Sequence, residues 1–476
     1  MKKSLKLLFF LLALAQGVIL QAQIQRTYHW YFGGGAGIDF SSGQAVADTN
    51  GQVNTWEGCT TISDTDGNLL FYSDGSTVWN KNHQIMQNGT GLMGHWSSHQ
   101  NSLIVPKPKD YRIYYIFTTD AWENNFQNGL RYSVVDMSLD NGLGAITNKN
   151  ILLVASTHEQ LAATHHANCE DIWVVTHKRD EEKFYAYLVT ENGVSNTPVI
   201  TEIGNAVELL WGCSSLKISP DGTKIASSNY WDWDNTGKTD TIELYDFNKN
   251  SGILTNKISL STDTTDLTFS FAPNSLMLYV MGGFNLGRLY QYDLTSANIQ
   301  SSKVNIYNYS IVVFTYDSQI SSEGNKIFFT RANTNTLAVL DNPNSLGTTA
   351  IYQDCAFSLN GKQCMASFPN FISSYFDTDS TSCFPTLVNE NFTEASDVFI
   401  YPNPADGTNK IIVQTNYKLM KSIKLFTITG KEVLLINKNL QNEVLLDISS
   451  IPCGIYLLQL TTETKTVTKK IVIQNE

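Results

Sequence analysis

Short polar segments that mix tryptophan with acids and histidines are the parts of this sequence best equipped for chemistry. They are Trp56-Glu57, His95-Trp96-Ser97-Ser98-His99, Asp120-Ala121-Trp122-Glu123, His158-Glu159, Leu210-Trp211 and Tyr230-Trp231-Asp232-Trp233-Asp234. An indole offers a flat apolar face and one N–H donor, which suits a sugar ring or an extended peptide. Trp56, Glu57, His99, Trp122, His158, Glu159, Trp211, Trp231 and Trp233 therefore form the candidate ligand-binding set, for a glycan or a protein ligand. The competing reading of the tryptophans is packing between sheets. Two carboxyls facing each other across a channel mouth, as Glu57 and Glu159 could, would make a glycosidase pair. The alternative function is thus a secreted polysaccharide hydrolase or lyase.

One loop has the donor order of a calcium site. Asp232, Asp234 and Thr236 alternate, Gly237 permits a sharp turn and Asp240 could close the shell, although the distal bidentate Glu of a twelve-residue loop is missing. A polar hairpin rich in turn formers explains the same residues. Calcium is the one cofactor the sequence suggests. His165 and His166 are neighbours on a strand and point to opposite faces, and His177 falls a strand's length away, so the three do not converge. The chain has no GxSxG, HExxH or GxxxxGK[ST] motif, so the usual serine-hydrolase, zinc-protease and P-loop chemistries have no support. Its seven cysteines include no CxxC pair, which argues against a structural zinc. Cys59 and Cys213 each follow a glycine and read as small buried thiols where strands converge.

The elements that would hold these loops recur along the chain. An apolar strand, a polar turn and a second strand repeat, with turns at Gly67, Asp110, Glu170, Gly222, Asn274, Gly324 and Gly361. Blades of four strands repeat every ~40–50 residues, the range these spacings straddle. A third strand ending in Asp follows several pairs: Val135-Asp136, Tyr245-Asp246, Tyr292-Asp293 and Leu340-Asp341. Period-two alternation marks strands with one wetter face. The expected fold is all-β: a β-propeller of about seven blades over residues 23–380, with the strand-like segment Tyr28 to Phe40 completing the last blade. Such closure leaves no exposed strand edge. A polar connector (381–397) leads to a small immunoglobulin-like β-sandwich over 398–476.

Composition agrees. The chain has 476 residues, 16% of them charged and 11% aromatic; low charge and many aromatics favour strands over disorder. The net charge is −12, yet residues 398–476 carry nine Lys against six acidic residues, a net +3, which leaves −15 on residues 1–397. A surface this acidic excludes nucleic acid as the expected partner.

Residues 1–22 read as a secretory signal peptide: Lys2, Lys3 and Lys6, an apolar run from Leu7 to Ala15, and Leu20-Gln21-Ala22 before the cut. No later run is long and apolar enough for a transmembrane helix of ~20 residues, so none is expected in the mature chain.

The tail carries Tyr401-Pro402-Asn403-Pro404, Ile423-Lys424-Leu425-Phe426, Gly430-Lys431, Leu446-Asp447-Ile448-Ser449, Pro452-Cys453-Gly454-Ile455-Tyr456-Leu457 and Lys469-Lys470-Ile471-Val472-Ile473. In motif order and spacing it resembles the type IX secretion system C-terminal sorting domain (type A), over residues 398–476. Carried over residue by residue, the sorting motif is Tyr401, Pro402, Asn403, Pro404, Gly430, Gly454, Tyr456, Lys469 and Lys470. The resemblance implies a Sec-exported protein that crosses the outer membrane by the type IX machinery. It also implies clipping of the tail by a sortase-like peptidase, with the passenger released or held at the cell surface. Trp30-Tyr31-Phe32-Gly33, Gly37-Ile38-Asp39-Phe40-Ser41-Ser42-Gly43, Val78-Trp79-Asn80 and Trp173-Val174-Val175-Thr176-His177 look like the passenger region of surface proteins from bacteria with this system. That likeness implies a location, secreted or at the outer-membrane surface, rather than a reaction. The expected role is therefore binding or adhesion.

Overall fold

The protein is described here by a computed structural model covering residues 23–205, 215–228, 241–262, 267–282, 287–309, 314–377 and most of 398–474 (without 404, 407–409, 416–419, 428–431, 450, 453 and 463–465). The chain divides into two compact units, Met1–Thr386 and Leu387–Glu476. Among the described residues the regular structure is β throughout, apart from short 3-10 turns.

Seven sheets follow one another along the first unit. Sheet I (29–47) has three strands; II (59–90), III (102–154), IV (162–202), V (216–261), VI (267–309) and VII (318–358) are built on four-stranded antiparallel meanders. Sheets II and III touch at their outer strands through one parallel bridge, Gln87 to Ala145. Each sheet from II to VII starts with a hairpin whose tip needs one residue in the left-handed region. Gly67 (φ 88°), Gly222 (73°) and Gly324 (72°) supply it without a Cβ penalty. Sheets IV and VI accept Cys169 (61°) and Ser275 (61°) there. The backbone bonds recur too: Gly222 N–H donates to Ser219 O at 2.8 Å, Ser275 to Ala272 at 2.9 Å and Gly324 to Ser321 at 2.9 Å. Asp136 and Asp293, which end third strands, accept the backbone N–H two residues on, at 2.8 and 2.9 Å. That explains the recurrent Asp as a turn former.

The first strand of each sheet is the inner one: His29–Phe32, Cys59–Ser63, Ser102–Lys107, Ala162–His165, Leu216–Ile218, Leu267–Phe271 and Ser318–Ile320. Neighbouring inner strands touch from I to III and from IV to VII. Gln100, just ahead of the third, spans the gap between these two runs, accepting the Leu161 and Leu216 N–H groups (3.3 and 2.8 Å) and donating to Leu216 O (2.9 Å). The ring closes where Thr27 Oγ1 donates to Ser322 Oγ at 2.8 Å and the Ala45 N–H donates to Glu323 at 2.7 Å. Trp30 fixes that junction by packing on Phe40, Phe328 and Phe368 at ring distances of 5.1, 5.9 and 5.4 Å. The first unit is a seven-bladed β-propeller.

Closure takes a form other than the expected one. Sheet VII already has four strands of its own, so the N-terminal segment makes a separate blade, His29–Phe32, Ala36–Asp39 and Val46–Ala47, beside it. The turn at Gly361 does not begin a seventh repeat. It sends residues 363–376 into the hub as a strap that ends in a 3-10 turn, Ser373–Phe376. Gln363 bridges to Gly34, the Ala366 N–H donates to Trp56 O at 2.8 Å, and Pro369–Asn370 pairs in parallel with Cys59 and Thr60. Proline has no N–H for a ladder, and this pairing is only two residues long. Ile372 then bridges to Ala163, and Ser374 Oγ lies 2.7 Å from His165 Nδ1. The strap thus runs the length of the inner strands. It leaves a cavity of about 50 Å³ among His99, Lys217, Phe271, Asp317 and Phe368.

Polar residues in the inner strands follow from this. Thr60 Oγ1 donates to Asn370 O at 2.9 Å and accepts the Ile104 N–H at 3.2 Å. Lys217 and Asp317 form an ion pair at 2.8 Å, and the other Asp317 oxygen accepts the Phe368 N–H at 3.0 Å. Cys59 is buried, and burial pushes its thiol well above the ordinary range. Cys213 lies outside the described residues.

The second unit pairs Val398–Tyr401, Lys410–Thr415 and Glu443–Asp447 in one sheet. Ala405–Asp406, Met420–Thr427, Glu432–Leu440, Gly454–Thr462 and Thr466–Gln474 make the other. Val413, Ile423, Leu425, Leu446, Leu458 and Leu460 form its buried core, as in a sandwich of two alternating sheets.

Candidate functional site

The face to which the inner strands present their N-terminal ends carries four of the loops singled out by the sequence, those at 56–57, 95–99, 120–123 and 158–159. The Glu57 N–H and Thr55 Oγ1 both donate to Trp96 O, at 3.2 and 3.0 Å. Ser97 Oγ donates to Glu123 at 2.6 Å. The His99 N–H donates to one Glu159 oxygen at 2.9 Å and the Trp122 N–H to the other at 3.2 Å. Segments 55–57, 95–99, 121–124 and 158–159, from four different inter-strand connections, are therefore one fastened surface. Trp56, Trp122 and Trp96 ride on it; the first two are half-buried and Trp96 is 56% exposed, its ring 5.7 Å from that of His95.

Glu57 and Glu159 come close enough to influence each other, as the paired-acid reading requires, but neither is open to solvent. Glu159 is 1% exposed. Burial, and after it the charge of Glu57, hold its carboxyl well above the usual range. With both Glu159 oxygens occupied by backbone donors, this side chain is a clasp between loops. His99 is buried at the hub mouth, where Ser367 Oγ donates to its carbonyl at 3.2 Å and lies 3.3 Å from its Nδ1; burial lowers its pKa.

His158 is also buried, at 1% exposure. Its ring stacks on His177 at 5.5 Å and 18°, between Phe126 and Phe184. Burial drives His158 down to about 3 and His177 to about 4. These are neutral imidazoles in an apolar stack. His165 and His177 sit at opposite ends of a paired strand, Ala162 to Val175 and His165 to Ile172. Among the described residues no group of three or more His, Cys, Asp or Glu is arranged to hold a metal ion.

Trp211, Trp231 and Trp233, and the calcium candidates Asp232, Asp234, Thr236 and Asp240, lie outside the described residues. Two residues that the loop pattern did not mark do much of the positioning. The Asn101 amide reaches the carbonyls of Gly58 and Asp74 at 2.6 and 2.7 Å, and Gln100 spans three blades as described. Gly58 lets this happen, since a Cβ there would stand 2.4 Å from Asn101 N and 2.7 Å from Ser98 O.

In the second unit, Tyr401 precedes a cis peptide to Pro402 and its hydroxyl donates to Gln414 at 3.2 Å. Asn403 Oδ1 accepts the Val472 N–H at 2.9 Å, tying the Tyr401–Asn403 segment to the last strand. Tyr456 Oη donates to Pro452 O at 2.7 Å, and Gly454 opens the strand that carries it. Lys469 and Lys470 pair with Leu458 and Leu457 in the final hairpin. Pro404 and Gly430 lie outside the described residues.

A propeller passenger followed by a sandwich with this motif set defines an exported cargo and its address. Residues 399–474 match the family model of the secretion system C-terminal sorting domain. The C-terminal unit is a type IX sorting domain, and it marks the chain for type IX secretion. No curated protein matches the chain. Among solved structures, a proposed 6-phosphogluconolactonase of Bacteroides uniformis is similar at 11% identity, over 84% of this chain and 98% of that one, with a TM-score of 0.37. Hydrazine synthase of Kuenenia stuttgartiensis shares 12% identity over 60% and 76%, and Hsv2p of Kluyveromyces lactis 9% over 67% and 90%, both with TM-scores of 0.37. Likenesses at this level carry no argument about what this chain binds or does. No helix among the described residues is long and apolar enough to cross a membrane.

Proposed function

We propose that the mature protein is a secreted or surface-displayed binding protein whose ligand, a glycan or an extended protein segment, lies across the tryptophan loops. A signal peptide over residues 1–22 would start the route, and the type IX machinery with its sortase-like peptidase would complete it. The observation that carries the binding reading is the fastening of four loops into one surface that keeps Trp96 exposed beside Trp56 and Trp122. The strap supports it further, because with the hub filled a ligand must approach from the loops. Calcium is proposed for the 232–240 loop alone, on its sequence of oxygen donors.

The polysaccharide hydrolase reading has one observation in its favour, the raised carboxyl of Glu159 beside Glu57. Such a pair is the usual source of a general acid. Burial and the two backbone donors weigh against it, since a general acid must reach its substrate within hydrogen-bonding distance.

Glycan-array and peptide-array binding of the secreted protein tests the proposal. Trp96→Ala should weaken the best ligand about tenfold, by the ~1 kcal/mol and more that an exposed aromatic platform contributes. Unchanged binding to every ligand, or product release that grows with time and vanishes in Glu57→Gln, would reject it. For the route, a chain lacking residues 398–476 should accumulate in the periplasm, read by fractionation. Its undiminished appearance outside the cell would overturn the role given to the tail.

A further inference from the structure

At the opposite end of the hub from the tryptophan loops lies a second concavity, of about 150 Å³, lined among others by Arg26, Lys107, Lys109, Tyr111, His165 and Tyr375. Arg26 is 4% exposed, yet its Nη1 has no hydrogen-bond partner. The Tyr375 hydroxyl, also buried, has none either. Among the described residues no carboxylate lies within ion-pair distance of the Arg26 guanidinium. Its surroundings are the Tyr111 ring, 5.5 Å from the guanidinium carbon, and the Tyr114 and Tyr375 phenols. His165 is taken up by Ser374. The acid at the rim, Glu170, is engaged by Lys109 at 3.2 Å, which also holds Glu191 at 3.2 Å.

A buried cation without a counter-charge is strongly destabilising, and buried donors without acceptors add to the cost. Here the two side chains that carry such donors line one cavity of about 150 Å³, with room for about five waters of ~30 Å³. A guanidinium fork beside a hydroxyl is the donor set that recognises an oxyanion. We infer that this cavity is a binding site for a small oxyanion of the phosphate or sulfate type, held inside by Arg26 and Tyr375 and attracted at the rim by Lys107. The anion supplies the missing counter-charge where the strap leaves the hub, so it stabilises the strap as well as filling the cavity. The site is separate from the tryptophan face and stands whatever ligand that face takes.

Thermal unfolding of the full chain at constant ionic strength tests this. Inorganic phosphate or sulfate, replacing chloride, should raise Tm saturably, by on the order of 2–4 °C per ~1 kcal/mol of linked binding. Arg26→Met should abolish the rise while remaining folded in chloride, since it removes an unpaired buried charge. Lys107→Ala, on the rim, should keep the rise but need several-fold more phosphate to reach it. Glycerol phosphate separates two sources: an equal rise means a phosphate carried on a larger molecule, and no rise means the free ion. A Tm independent of phosphate and sulfate, or an identical rise in wild type and both variants, overturns the inference.

Discussion

Asp317→Ala is expected to lower the stability of the propeller by about 3–5 kcal/mol, the range for removing one partner of a buried ion pair. The carboxylate does three things at once. It pairs with Lys217 at 2.8 Å, accepts the Ser318 N–H at 2.8 Å, and accepts the strap's Phe368 N–H at 3.0 Å. Truncation strands the Lys217 ammonium in the hub, where among the described residues the Ser318 carbonyl is its remaining hydrogen-bond partner, and frees one end of the strap. The pair itself is worth much less than its disruption, because desolvation offsets most of the attraction. Lys217→Met combined with Asp317→Leu should therefore recover most of the loss. Urea midpoints of the two single variants and the double one give the coupling directly. A loss below about 1 kcal/mol for Asp317→Ala would show that the strap is not anchored there.

The second large effect is with pH. Burial lowers His158 to about 3 and His165 and His177 to about 4, and lowers His99 in the same direction. Nearby cations add to it: Arg179 beside His158, Lys257 beside His177, Arg26 and Lys249 beside His165. The unfolded chain protonates these rings near 6.5 and the native one does not, so their contribution is complete above that pH. It is lost as pH falls from 6.5 towards 4. Each ring adds a slope of about 1.4 kcal/mol per pH unit. Glu159, whose native pKa is raised, contributes with the opposite sign and cancels about one proton. At least two net protons remain, or about 3 kcal/mol per pH unit at the steepest point. Ordinary carboxylates titrate lower, so urea midpoints at pH 7.5, 6.5 and 5.5 isolate the histidines. The midpoint should hold between the first two and drop sharply at the third. His158→Phe should flatten the slope by about one proton's worth. A midpoint constant down to pH 5.5 would mean that these imidazoles are not held neutral.

The repeat was legible because its signal is local. A hairpin tip that needs a positive φ selects Gly at 67, 222 and 324, and the six turns from Gly67 to Gly324 each fall in a separate sheet. Asp at the end of a third strand is equally local. The remaining sheet was hidden because its outer strand, Val46–Ala47, has two residues and no hairpin signature. The strap was hidden for a deeper reason. Ser367, Phe368 and Asn370 are defined by His99, Asp317 and Thr60, which lie 268, 51 and 310 residues away. No period in the chain records such partners. In the candidate face, the loops could be picked out from blade order, which puts alternate connections at one end. Their clamps could not. Asn101 and Gln100 look like any polar pair ahead of a strand, and Glu159 looks like a surface acid until its two backbone donors are seen. The sandwich strands from Ile411 on were readable from alternation, while Val398–Tyr401, inside the sandwich bounds, is too short before the Pro402 turn to show a strand period.

The strap also sets an order of events. The contacts that finish the ring join residues some 270 to 310 positions apart, and closing such long loops is slow. Until the ribosome has passed Phe376, the Thr60 hydroxyl lacks its Asn370 acceptor and the second Asp317 oxygen lacks the Phe368 N–H. The sorting domain is encoded later still. A chain that stalls before the ring can be finished therefore also lacks its sorting domain, so every molecule marked for type IX secretion has at least been given all the parts of its own axle.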